Sequence, residues 1–280
     1  MKKVRAVKKL IYYCIDYYIP QGKFSFNDLF LRVISVVDKF TLKNADFIWD
    51  ISPNIAQYRR EVAGISIDGC RNRVVPLGYS RHLRRFKRID EIDRWVVGFV
   101  GTITAGQGLQ LLIEALPEIL RQLPQVRLKI IGQGPYSGEL KAMVNQRGLA
   151  GAVDFLGFIQ DEARMLDLLS SCAIGVALWG GGSGDRNIVC ADPGKTKLYA
   201  FLGMPMLVTN ACPLSQEIAR YKAGEVIAYD KPGLISAIER ILGDEQALEE
   251  YKNNSFRMGE EYVADGIFSS ALESVMEKRF

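Results

Sequence analysis

From residue 95 onward, short apolar runs alternate with longer amphipathic ones, and this alternation constrains the fold more than any other feature of the chain. The apolar runs, rich in β-branched and aromatic residues, are 95–101, 127–132, 153–158, 172–178, 205–210 and 225–229. The stretches between them, 108–123, 137–147, 162–171, 194–202 and 214–221, read as helices. Strands and helices alternating at this spacing form βαβ units, which assemble into a parallel sheet covered on both faces. Val-Val-Gly-Phe-Val, Leu-Lys-Ile-Ile and Ile-Gly-Val-Ala-Leu are near-continuously apolar, as strands buried on both sides must be. Six such strands make one complete Rossmann-like domain.

The segment before residue 94 differs. It offers an apolar run at 10–15, a helix over about 27–44, a strand at 47–52, a helix at 53–62 and a strand at 73–77. Phe30, Val33, Ile34, Val37 and Phe40 follow helical spacing and are expected to pack on a sheet. Three short strands are a thin sheet for so much apolar helix, so the segment reads as a partial second domain. Gly78-Tyr79-Ser80 and the basic run to Arg88 look like a linker. The expected division is therefore 1–88 and 89–280.

Several function classes drop out on composition. No apolar run reaches the roughly 18 residues of a membrane-spanning helix. The basic start is followed by a short apolar stretch that Asp16 interrupts, which is not a secretory signal. Cysteines 14, 70, 172, 190 and 212 are odd in number and widely spaced, pointing to buried free thiols in a reducing cytoplasm rather than a disulfide framework or zinc site. The single histidine, His82, excludes a multi-imidazole metal centre and argues against a Ser-His-Asp hydrolase. Net charge is +4 but concentrated: Arg71, Arg73, Arg81, Arg84, Arg85, Lys87 and Arg88 crowd one stretch. Such a cluster meets nucleic acid, anionic lipid or a phosphorylated substrate, or is simply solvated surface.

Three motifs bear on chemistry. Gly98-Phe-Val-Gly-Thr-Ile, followed by Gly106-Gln-Gly and a helix, places Gly101 where backbone N–H groups can approach a phosphate; a plain tight turn uses glycine equally well. Ile130-Ile-Gly-Gln-Gly-Pro-Tyr-Ser-Gly has its third glycine one residue late for a dinucleotide fingerprint, and no acidic residue follows at the required place. In Asp192-Pro-Gly-Lys-Thr-Lys, Asp192 as N-cap and Pro193 at the first helical position make an ordinary helix start. Lys195 and Lys197 are less ordinary: cations in a first turn oppose the helix dipole unless an anion lies nearby. At least one of them is read as a phosphate ligand; the alternative is two solvated lysines on an outward face. The glycine-rich residues 180–184 before them are suited to a pocket floor.

Val97-Gly-Phe-Val-Gly, Leu128-Lys-Ile-Ile-Gly-Gln-Gly-Pro, Val153-Asp-Phe-Leu-Gly-Phe and the run from Pro193 through Gly203-Met-Pro together resemble glycosyltransferase family 4 (glycosyl transferases group 1). Ala45-Asp-Phe-Ile-Trp-Asp-Ile-Ser-Pro and Val74-Val-Pro-Leu-Gly resemble the end of that family's first domain. The resemblance implies a GT-B-type α/β fold, with one complete Rossmann-like domain preceded by a partial, N-terminally shortened acceptor domain. It also implies a nucleotide diphosphate-sugar as co-substrate, retention of anomeric configuration, a glycan or lipid-linked acceptor, and no metal or cofactor.

Carried over by position, Gly101 and Thr102 match the turn that holds the donor diphosphate, and Phe158 and Ile159 match the loop that cradles the base. Where the family places an Arg and a Lys after that turn, this chain has Thr102 and Gln107; where it places paired glutamates, Cys190 and Leu198. Asp192, Gly194, Lys195 and Lys197 are the substitute donor-binding set that the resemblance suggests. No catalytic residue is assigned. Two other classes stay open: an inactive or split module that binds nucleotide and a complementary chain, and nucleic-acid binding through residues 71–88. The basic segments are also suited to peripheral contact with an anionic inner membrane face.

Overall fold

The computed structural model describes residues 9–15, 26–180 and 193–277. The first elements are β1 (Ile11–Cys14), α1 (Phe26–Asn44), β2 (Phe47–Asp50), α2 (Pro53–Ala63) and β3 (Asn72–Val74). Then come β4 (Asp93–Val100), α3 (Leu109–Gln122), β5 (Arg127–Ile131), α4 (Ser137–Gln146), β6 (Val153–Gly157), α5 (Glu162–Ser170) and β7 (Cys172–Ala177). After residue 193 follow α6 (Gly194–Leu202), β8 (Met206–Thr209), α7 (Ser215–Tyr221), β9 (Gly224–Ile227), α8 (Lys231–Gly243), α9 (Glu245–Met258) and α10 (Ala264–Glu277). The described residues form two compact units, one from residues 9–15, 26–77 and 265–277, the other from residues 78–180 and 193–264.

In the first unit β1, β2 and β3 form a parallel sheet in that order. Ser52 caps α2, its hydroxyl accepting from the Asn54 N–H at 3.2 Å, and Gly64 ends the helix in the left-handed region. Phe47, Trp49 and Val75 pack against Ala271 and Val275 of α10, while Ile48 packs with Leu42 and Ala45. Arg59 and Asp50 make a fully buried ion pair at 2.9 Å, and Asn72 Nδ2 donates to the same carboxylate at 2.8 Å. The sequence expectation for α1 is corrected here. Phe30, Val33, Val37 and Phe40 are 56–67% exposed, and Phe26, Leu29 and Val36 lie outside with them. The reason is orientation: Leu31, Ile34, Asp38 and Thr41 are half-buried and Leu42 is buried, with the Tyr12 hydroxyl donating to Asp38 Oδ1 at 2.5 Å, so α1 turns this face inward and the stripe through Phe30, Val33, Val37 and Phe40 outward.

The second unit is a six-stranded parallel sheet in the order β6-β5-β4-β7-β8-β9. The chain enters at the centre, runs outward to β6, then returns beside β4 as β7, so strand order reverses between β4 and β7. Val97, Phe99, Leu128, Ile130, Ile174, Val176 and Leu207 share one core with the apolar faces of α3, α4 and α8. On α6, Thr196–Leu202 are all buried, so the helix lacks a polar face. Tyr199 fixes its position. Its ring lies so close to Gly175 that a Cβ there would sit 2.6 Å away, and its hydroxyl donates to Val176 O (3.1 Å) and accepts from the Val100 N–H (3.2 Å). Gly203, in the left-handed region, ends α6.

Three readings at element boundaries shift. α6 spans Gly194–Leu202 as read from the sequence, but its N-cap is Pro193, where the sequence suggested Asp192 as N-cap and Pro193 as the first helical residue; Asp192 lies outside the described residues. Gly78–Arg88, read as a linker, is packed into the second unit: the Tyr79 N–H donates to Tyr262 O at 2.8 Å, and Tyr79 O accepts from the Ala264 N–H at 2.9 Å. The helices after β9 had no counterpart in the sequence reading. Among the described residues no helix is long and apolar enough to cross a membrane.

Adding a methyl group under Tyr199 tests this arrangement. Gly175→Ala should destabilise the protein by about 1–3 kcal/mol, read as a lower urea midpoint with an unchanged slope; an unchanged midpoint would mean α6 is not seated through that contact.

Candidate functional site

Open α/β sheets place ligands beyond the carboxyl ends of their strands, where strand order reverses. Here three chain segments crowd that place. Gly101, with φ 141°, ends β4 and donates its N–H to Ile131 O at 3.0 Å. Gly132, with φ 133°, ends β5; a Cβ on it would lie 2.0 Å from Gly101 O. At Gly108, which opens α3, a Cβ would lie 1.7 Å from Leu178 O. Only glycine permits these approaches, and they bring backbone from the ends of β4 and β5 and the start of α3 close together beside the end of β7.

Lys195 reaches this place from the first turn of α6. Its Cε would be 3.5 Å, and its Nζ 3.7 Å, from a Cβ on Gly101. The ammonium lies 4.5 Å from the centre of the Phe99 ring and 5.1 Å from that of Trp179, and it donates to Gln107 Oε1. Its cation–π contacts are favourable, but its hydrogen-bond partner is neutral. Among the described residues no carboxylate pairs with it, and the one ionisable group acting on it is the Cys212 thiol. Burial pulls the Lys195 amine down to about 7, while Cys212, pushed up to about 12 by its own burial, stays neutral. The positive end of the helix dipole opposes the same charge.

The other end of α6 has the opposite electrostatics. Arg84 Nε donates to Phe201 O at 2.9 Å, Lys252 Nζ to Gly203 O at 3.2 Å and Ser255 Oγ to Met204 O at 2.6 Å. Arg84 also stacks over Phe256 at 3.7 Å. Cations belong at this end of a helix, so the clamp supports the dipole that Lys195 opposes.

The structure brings Gly101 and Lys195 together, with Thr102 and Gly194 next to them along the chain, and directs Lys197 elsewhere. Gly194 is the first residue of α6, and its carbonyl accepts from the Tyr79 hydroxyl at 2.8 Å. Lys197 is buried with its ammonium 5.2 Å from the Tyr262 ring, whereas Lys195 lies against Phe99 and Trp179. Thr102 is exposed beside Gly101; Phe158 is 69% exposed after β6, with Ile159 part-buried next to it. Leu198 is buried and apolar; Cys190 and Asp192 lie outside the described residues. Phe99, Gln107 and Trp179 were not predicted as site residues; the sequence cue was a Trp at a strand end before a glycine-rich stretch. Gln110 was also missed: it donates to Ala105 O (2.8 Å) and to the Tyr229 hydroxyl (3.0 Å).

The basic cluster has mostly internal work. Arg71 donates to the carbonyls of Leu42 and Ala45, Arg73 to Ser270, and Arg81 and Arg84 pair with Glu260. Lys87 pairs with Asp167, and Arg88 with Asp90 and Glu91. These pairings leave little of the cluster for nucleic-acid phosphates. Cys14, Cys172 and Cys212 are buried free thiols, as expected, but Cys70 is exposed. Among the described residues no three His, Cys, Asp or Glu side chains group as a metal site.

A lysine whose folded pKa is lowered destabilises the fold below that pKa, and the penalty disappears as pH rises towards the unfolded value. Lys195→Met should therefore stabilise the unliganded protein by about 1–3 kcal/mol at pH 6, discounting for partial exposure. The gain should shrink steadily between pH 7 and 10 in thermal melts; equal melting temperatures at pH 6 would contradict the assigned environment.

Comparison with known proteins gives this geometry a context. The family model described as glycosyl transferases group 1 matches residues 94–244. The alpha-D-kanosaminyltransferase of Streptomyces kanamyceticus is 36% identical over 70 residues, which is 25% of this chain and 18% of that protein. The GDP-mannose-dependent alpha-(1-6)-phosphatidylinositol monomannoside mannosyltransferase of Mycolicibacterium smegmatis is 40% identical over 70 residues, again 18% of its length. The matched stretch thus spans less than a fifth of these relatives. Among solved structures, Anabaena Alr3699/HepE in complex with UDP superposes with a TM-score of 0.69 at 19% identity, covering 96% of this chain and 72% of that one. WaaG, a glycosyltransferase involved in lipopolysaccharide biosynthesis, gives 0.66 at 16% identity, covering 96% and 75%. The fold is that of the GT-B glycosyltransferases.

Proposed function

The chain belongs to the glycosyl transferases group 1, and from that premise we propose that it transfers a sugar from a nucleotide diphosphate-sugar to a glycan or lipid-linked acceptor. One observation carries the reading: a part-buried lysine with no carboxylate partner among the described residues is aimed at a glycine turn where the strand order reverses. A cation placed so, against the helix dipole and under two aromatic rings, is matched electrostatically by an anion at that turn. A donor diphosphate supplies that anion. As the sugar leaves, negative charge grows on the diphosphate, and a fixed cation beside it stabilises the transition state more than the ground state.

Lys195 in this reading takes the part of the lysine that the family places near Gln107, arriving from α6 instead of from the β4 loop. Gly101 and Gly194 let backbone approach the phosphates, with Thr102 at the turn, and Phe158 and Ile159 flank the base. Asp192 and Lys197 complete the proposed donor-binding set. The transfer proceeds with retention and without a metal. One curated relative is named for GDP-mannose and solved neighbours hold UDP or UDP-glucose, so uridine and guanosine donors come first. Peripheral contact with an anionic membrane face on the cytoplasmic side is part of the same reading.

The exposed apolar face of α1 favours a second reading, in which the chain binds donor but needs a complementary chain for transfer.

A thermal-stability panel of uridine, guanosine and adenosine diphosphates and their sugar conjugates tests the donor claim. A ligand at a hundred times its dissociation constant should add about 2.7 kcal/mol, for one base, with the shift lost in Lys195→Met. No shift with any nucleotide from a cooperatively folding protein would reject the donor claim. A shift without turnover by the isolated chain would favour the second reading over the first.

A further inference from the structure

The Lys195 amine is enclosed on every side that the described residues provide by groups carrying no charge. Phe99 from β4 and Trp179 after β7 present their ring faces to it, and Gln107 from the turn before α3 presents an amide oxygen. The Cys212 thiol lies beyond, in the loop after β8, held neutral by its own burial. Thr196, next on α6, turns its hydroxyl back to Pro193 O at 2.9 Å. Of the charged neighbours, Lys197 is directed at Tyr262, and Glu217 on α7 acts on Lys197. Among the described residues, two ring faces and one amide oxygen are what stabilise the proton of this amine.

We propose that donor binding is proton-linked: Lys195 takes up a proton as the donor's diphosphate arrives beside Gly101. This rests on the donor reading above and adds to it a thermodynamic property that the fold alone does not imply. The physical reason is the change of surroundings. Without ligand, burial holds the amine at about 7, so above neutral pH it is mostly uncharged. A diphosphate within contact distance favours the ammonium and moves its titration upward. Linkage then fixes the sign. Affinity is full below pH 7 and falls as pH rises through the free-site value, until the pKa of the bound state is reached. Trp179 and Phe99 act as positioning residues, because they keep the amine dry until the anion arrives.

The experiment is calorimetric titration of the full chain with UDP-glucose or GDP-mannose, whichever stabilises it, in several buffers of different ionisation enthalpy. A nucleotide-sugar diphosphate carries no proton of its own that titrates near neutrality, so any proton exchanged belongs to the protein. The expected result is clear proton uptake at pH 8 and much less at pH 6, with the dissociation constant rising severalfold between pH 7.5 and 8.5. Lys195→Arg, whose guanidinium stays charged, should bind with no proton exchange and no pH dependence over that range. Wild-type binding at pH 8 without proton uptake would overturn the proposal whatever the variants do. So would uptake that persists in Lys195→Met. Failure of every nucleotide sugar to bind is a different result, and would remove the donor reading and this inference together.

Discussion

The Tyr199 ring over Gly175 is the contact on which the arrangement of the second unit depends. Because Gly175 has no side chain, an aromatic ring can lie directly on β7, and the Tyr199 hydroxyl reaches the backbone of both β4 and β7. These two strands are the ones between which strand order reverses. A helix tied across that seam has its first turn delivered to the carboxyl ends of the strands. Lys195 faces Gly101 for this reason, not because of any local preference of the sequence around it.

The electrostatics of α6 follow from the same placement. Arg84, Lys252 and Ser255 satisfy carbonyls at its C-terminal end, where positive charge and donors are favoured. At its N-terminal end a lysine is disfavoured by the dipole, by burial and by the absence of a nearby carboxylate among the described residues. Stabilisation at one end is thus set against a local penalty at the other. Such a balance is the usual signature of a binding site, where residues satisfy a ligand better than they satisfy the empty protein.

The two units differ in how well they cover their own apolar surface. In the second, strands buried on both faces match strands that read as near-continuously apolar. In the first, α1 turns a mixed face inward, and seven of its large apolar side chains remain outside. The periodicity of α1 was legible and its helical state followed. Its burial did not, because period reports which residues share a face and says nothing about whether another element is there to meet it.

The alternation of runs after residue 95 determined the second unit's strands and helices by itself, since period-2 and period-3.6 patterning act within a few residues. The glycine turns were visible too, as was the anomaly of lysines in a first turn. Tertiary structure alone decided which lysine reaches the Gly101 turn, that Gln107, Phe99 and Trp179 surround its amine, and that residues 78–88 pack rather than link. Gln107 and Lys195 are 88 positions apart, and residues so distant meet only through the strand order of a sheet. Spacing along the chain carries no record of that order; hydrogen bonding and packing between strands create it.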